Sequence, residues 1–196
     1  MLKRHLLLPC LLIVSALALA ACGGSGNSDE SQIEEAVETS ATSTDPANCT
    51  KLSTQGFMEQ STQTEGPEAV KSCEEEASED QGAEAATVSN IEVEGSKATA
   101  EVAITGGGFD GQAVEVSLVK EGDQWKLDEI AGFANFDKAR LIEAFEEEFA
   151  KPSSEVSEGL AACLVEAFER GSQAEFEELL LSRSAEGLEE LAEACA

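Results

Sequence analysis

Between Val88 and Asp128 apolar and polar residues alternate, whereas on either side of that stretch the apolar positions recur every three or four residues. In Ile91-Glu92-Val93-Glu94, and again from Ala98 through Val102 to Ile104, every second side chain is apolar, with Gly95-Ser96 as the turn between them. A third run sends Val114, Val116 and Leu118 one way and Glu115 and Ser117 the other. A fourth sends Trp125 and Leu127 inward against Lys126 and Asp128, and Gly122-Asp123 joins the last two. Period two marks strands, and short turns between consecutive runs mark an antiparallel meander. Such a meander has one oily face, which helices must cover. The expected class is therefore α+β.

The flanking segments supply those helices. Ser31 and Glu34 form a capping box ahead of Ile33 and Val37, which starts a first helix at Ser31. Asp45-Pro46 and Gly66-Pro67 are two further starts: the first puts Cys49 on a short helical turn, and the second puts Val70, Cys73 and Ala77 on one stripe of a helix ending near Asp80. The residues around Phe57 and Met58 are expected to be a loop. Beyond Gly132 four helical stripes follow. They carry Leu141, Phe145 and Phe149; Val156, Leu160, Cys163, Leu164 and Phe168; Phe176, Leu179 and Leu180, after a Ser172/Glu175 capping box; and Leu188, Leu191, Ala192 and Cys195. Gly159 and Gly187 weaken two of them by about 1 kcal/mol each relative to alanine.

The first residues read differently. Lys3, Arg4 and His5 precede an apolar run from Leu6 to Ala21, too short to cross a bilayer comfortably, which needs about 20 residues. This is the pattern of a signal peptide. Its end, Leu19-Ala20-Ala21-Cys22, resembles a bacterial lipobox, and the resemblance implies a diacylglyceryl group on Cys22 and cleavage just before it. The implied organisation is a leader at residues 1–21, a flexible tether at 22–30, an α+β domain at 31–133 and a C-terminal helical segment at 134–196. Anchored in this way, the protein would face the extracytoplasmic side of a membrane.

The net charge is −28, and it grows more negative when Lys3 and Arg4 leave with the leader. Such a surface repels nucleic acid and anionic headgroups, so any membrane contact falls to the acyl chains. Four cysteines remain after Cys10 and Cys22: Cys49, Cys73, Cys163 and Cys195. An even set facing an oxidising compartment favours disulfides, and pairing of nearest neighbours is one of three connectivities. Zinc is the rival. No CxxC spacing occurs and His5 is the sole histidine, which argues against it.

Helices followed by a four-stranded meander ending in "EGDQWKLDEI", Glu121 to Ile130, resemble the nuclear transport factor 2-like superfamily, which includes ketosteroid isomerase and SnoaL-like proteins. The stretch Asp123-Gln124-Trp125-Lys126-Leu127 is similar to the last-strand pattern of its small extracytoplasmic lipoproteins. The resemblance covers about residues 31–133. It implies a sheet curled around the helices into a cone, with a pocket lined by Val102, Ile104, Val114, Val116, Trp125 and Leu127, and it makes homodimers common.

Enzymes of that superfamily place an acid or base in the cone, and ketosteroid isomerase combines an Asp base with a Tyr and a protonated Asp. This chain has no Tyr, and no His past the leader. "GGGFDG", Gly106 to Gly111, contains GxGxxG, but an alternating strand follows it rather than the helix a phosphate loop must open, so a hairpin turn is expected. Asp110 and Asp123 lack the oxygen ladder of a calcium loop. The glutamates of the last helices, among them Glu146, Glu147, Glu148, Glu177, Glu178, Glu189 and Glu190, read first as a solvated face and second as a docking site for a basic partner. The expectation is a non-enzymatic lipoprotein, without cofactor, binding an envelope protein or a small apolar ligand. Its competitors are an isomerase or dehydratase using a pocket carboxylate, and a structural spacer.

Overall fold

A computed structural model of the chain describes residues 28–78, 82–150 and 156–195. Four helices come first: α1 (Asp29–Thr42), α2 (Ala47–Leu52), α3 (Gln55–Thr62) and α4 (Pro67–Ser78). Four strands follow: β1 (Ala85–Glu94), β2 (Lys97–Thr105), β3 (Ala113–Glu121) and β4 (Gln124–Asn135). The last helices are α5 (Lys138–Phe149), α6 (Glu158–Arg170), α7 (Gln173–Leu180) and α8 (Glu186–Cys195). The strands pair antiparallel in the order β1-β2-β3-β4, so the α+β class and the meander are as the alternation predicts.

Two helices differ from expectation. Helix α1 begins at Asp29, because Ser28 rather than Ser31 is its cap, the hydroxyl accepting from the Ser31 amide at 3.3 Å. The region around Phe57 and Met58 is not a loop but helix α3, capped by Thr54, whose hydroxyl accepts from the Phe57 amide at 3.2 Å. Eight residues that include Gly56, Ser61 and Thr62 have modest intrinsic preference for a helix, so packing and the Thr54 cap hold it.

Strand β1 carries a bulge that the alternation does not reveal. The register shifts between Ser89 and Glu92, and Asn90 takes a φ of 52°. The extra residue lets Val88 and Ile91, three apart, both pack against the core. Three further shifts between β3 and β4 extend the pairing through Gly132 to Asn135.

Beneath the sheet lie Ala98, Ala100 and Val102 of β2, Val114, Val116 and Leu118 of β3, and Trp125, Leu127 and Phe133 of β4. Ile33 and Val37, one turn apart on α1, close over them. That helix touches both edge strands, β1 and β4, so it lies across the sheet. Leu141, Leu164, Phe168 and Phe176 from α5, α6 and α7 belong to the same cluster, so packing runs unbroken past residue 133. A string of phenylalanines makes the join: Phe109, Phe133, Phe136, Phe176, Phe168, Phe145 and Phe149 follow one another with ring centroids 4.9–6.2 Å apart. These are the separations at which aromatic pairs add to area burial.

The opposite face of the sheet is polar. Register places Ser89, Glu101, Glu115 and Gly132 in one row and Glu92, Thr99, Ser117 and Glu129 in the next. Glu101 therefore stands directly across from Glu115, an unfavourable pairing of like charges.

Candidate functional site

Cys10 and Cys22 lie outside the described residues. The other four cysteines form two bridges, Cys49–Cys73 and Cys163–Cys195, with S–S distances of 2.04 Å, which is the nearest-neighbour pairing. The first ties α2 to α4, and the second fastens α8 to α6. Helix α8 has no fully buried residue, so this bridge supplements a shallow stripe of Leu188 and Leu191.

The six side chains expected to line a pocket are all brought together in the core. Val102, Val114, Val116, Trp125 and Leu127 are buried, and Ile104 is half-buried against them. Alternation correctly points them inward, and Ile33 and Val37 take up the space on that side. The cavities beside Cys49–Cys73, on the polar sheet face, between α5 and α6, and around α7 and α8 are lined by other residues. The buried polar side chains among the described residues are Ser53, Gln60 and Gln112. No group of three or more Cys, His, Asp or Glu among the described residues is placed to hold a metal ion.

Two glutamines that look like surface residues in the sequence turn out to be clamps. Gln60 of α3 accepts from the Ile130 amide at 2.7 Å, and its Nε2 donates to the carbonyls of Ile130 at 2.9 Å and Leu181 at 2.6 Å. One side chain thus seals part of the β4 edge and holds the end of α7. Gln112 does the same for the β4–α5 joint, accepting from the Asp137 amide at 2.9 Å and donating to its carbonyl at 2.8 Å. Their partners are far away in sequence, so no local motif marks them.

A third unforeseen anchor sits at the start of α1. Asp29 accepts from the Trp125 indole at 2.9 Å and from Lys120 Nζ at 2.5 Å, while Lys120 stands 5.4 Å from the Trp125 ring centroid. Trp125 is thus a core aromatic whose polar edge is satisfied. The Lys120 ammonium first, and the indole N–H second, hold the Asp29 carboxyl below its ordinary 3.8. A depressed carboxyl contributes stability above its unfolded value and loses it as pH falls through the lower folded value. Urea unfolding should therefore show Asp29→Asn less stable than the parent at neutral pH, with the gap narrowing below pH 3.8. A gap that persists unchanged in acid would mean the anchor is not ionic.

The glycine-rich loop is a hairpin connection, as expected. Gly107–Phe109 form a 3-10 turn between β2 and β3, and Gly106, Gly107 and Gly111 have φ of 69–77°. The Gly106 amide donates to Asp110 Oδ1 at 2.6 Å, so a carboxylate of the chain itself occupies it. Phe109 packs on Phe133.

A sizeable hollow lies on the surface. A cavity of about 530 Å³ runs between α5 and α6, with Phe149, Ala161, Ala162 and Val165 as its floor. Glu146, Glu158, Glu166 and Glu169 surround it. Across the joint, Lys138 of α5 donates to the carbonyls of Glu169 at 2.5 Å and Gly171 at 2.8 Å, a cation at the C-terminal end of α6, where the helix dipole favours it.

These features define a disulfide-bridged α+β protein with a packed interior and hollows at its surface. No known family model, curated protein or solved structure matches the chain.

Proposed function

We propose that the protein is a lipid-anchored, non-enzymatic binding module of the extracytoplasmic cell envelope, held to its membrane by acyl chains on Cys22 and engaging a protein partner through its surface. The observation that carries this reading is the packed interior. The space under the sheet is occupied by apolar side chains, and its buried polar groups are hydrogen-bonded amides and a hydroxyl, so recognition is assigned to the exterior. The two disulfides fit an oxidising compartment. A nuclear transport factor 2-like arrangement belongs to the same proposal. It is supported by the order of helices and strands and by α1 touching both edge strands.

The α5–α6 cavity favours a second reading, a small apolar ligand, since its volume falls within the roughly 300–1,000 Å³ of small-molecule sites.

The anchoring is tested by detergent phase partition of membranes from cells producing the protein. The parent should enter the detergent phase, and Cys22→Ala should move to the aqueous phase, because two acyl chains contribute about 0.8 kcal/mol per buried CH₂. Equal partition of the two proteins would sink the lipid-anchored reading.

A further inference from the structure

Helix α6 carries one long, nearly uncharged stretch between charged ends. From Gly159 to Phe168 its sequence is GLAACLVEAF, in which Glu166 is the single charged residue. The helix is buried on one side, and Glu158, Glu166, Glu169 and Arg170 are exposed on the other. Leu164 and Phe168 face the core, and Cys163 is bridged to α8. On the other side Ala161 and Val165 are half-buried and Ala162 is exposed, and together with Phe149 they make the floor of the α5–α6 groove. Ala161 and Ala162 are small, which lets another backbone approach closely there.

The groove's length and charge say what fits it. Its lining runs along α6 from Glu158 to Glu169, about 16 Å or three helical turns, with Glu146 and Phe149 contributed by the last turn of α5. Its rim carries Glu146, Glu158, Glu166 and Glu169, and Arg170, 3.8 Å from Glu166, is an exposed counter-charge. A second copy of this chain would bring the same four carboxylates against themselves, and an anionic lipid surface would be repelled. A helix with leucines on one face and lysines or arginines flanking them would satisfy both floor and rim, which is the helix-in-groove mode of recognition.

We infer that the α5–α6 groove is the docking site for a basic amphipathic helix of a partner protein. This rests on the binding-module reading above and names its surface and its chemistry. It does not depend on the lipid anchor.

The probe is a synthetic, fluorescein-labelled peptide of about 14 residues with leucine at i, i+3, i+4 and i+7 and lysine elsewhere. It is titrated by fluorescence anisotropy with the purified protein carrying Cys22→Ser, which keeps detergent out of the assay and leaves every contact described here intact. Saturable binding is expected, at least about tenfold tighter than that of a peptide of the same composition with the periodicity scrambled. It should weaken between about 50 and about 500 mM NaCl. Val165→Glu should weaken it about tenfold or more with thermal unfolding unchanged. Combined Glu146→Gln, Glu158→Gln and Glu169→Gln, all exposed positions, should weaken it and flatten its salt dependence. Equal binding of the scrambled peptide would reduce the effect to bulk charge and overturn the inference. So would an affinity indifferent to Val165→Glu, or self-association in sedimentation equilibrium that Val165→Glu abolishes, which would make the occupant a second copy. Failure here with Cys22-dependent partition intact would remove the groove and leave the anchor standing.

Discussion

Phe176→Ala is expected to lower the unfolding free energy by about 3–5 kcal/mol, the usual cost of emptying a buried phenylalanine site, and to do so in a single transition. Phe176 is 1% exposed and sits between Phe136 and Phe168, 5.3 Å from each. It belongs to α7, yet the cluster it completes also contains Trp125 of β4. Trp125 is the sole tryptophan, so fluorescence reports on the sheet while circular dichroism weighs the helices. If the helices beyond β4 share the sheet's core, both signals shift together in urea. Two separated transitions, with the fluorescence midpoint unmoved, would show that the last helices fold as an independent unit. Deleting residues 137–196 would accordingly strip Leu141, Leu164, Phe168 and Phe176 from the core.

Gln60→Leu should cost about 3 kcal/mol or more, although leucine is the more apolar side chain. The substitution leaves the Ile130 amide and the Ile130 and Leu181 carbonyls without their hydrogen bonds, in a position where Gln60 is only 3% exposed. Each such orphaned group costs about 1–3 kcal/mol. The urea midpoint measures the loss, and hydrogen exchange at the Ile130 amide locates it, since that proton should lose protection first. A loss under about 1 kcal/mol would mean that water replaces the amide and that the β4 edge needs no such seal.

The sheet was legible in the sequence because a half-buried strand writes its burial directly into period two. The bulge at Asn90 was not, since Val88 and Ile91 fall out of phase with one another. The helices carrying strong caps were equally readable, as Ser172 and Glu175 show, the Ser172 amide donating to Glu175 Oε2 at 2.6 Å. Helix α3 escaped because its stability lies in contacts with β4 and α4 rather than in its own composition. The cysteine set left three pairings open, and only coordinates choose among them. For the six inward residues of the sheet, alternation fixes the direction of a side chain but not what meets it there. Ile33 and Val37 come from a helix more than 60 positions earlier, and their placement over the strands is a tertiary fact. Gln60 and Gln112 hid for a related reason: amides on helix or turn segments read as solvated until their distant backbone partners are known.

The outward side of the meander has a bearing on crowding. With Glu101 opposite Glu115, and Glu92 and Glu129 closing the neighbouring row, two molecules meeting back to back would press like charges together as water is squeezed out. The uncovered strands are thereby insulated against stacking on their own kind. That protection is purely coulombic, so it should fade in concentrated brine, where colloidal behaviour would be the first property to change.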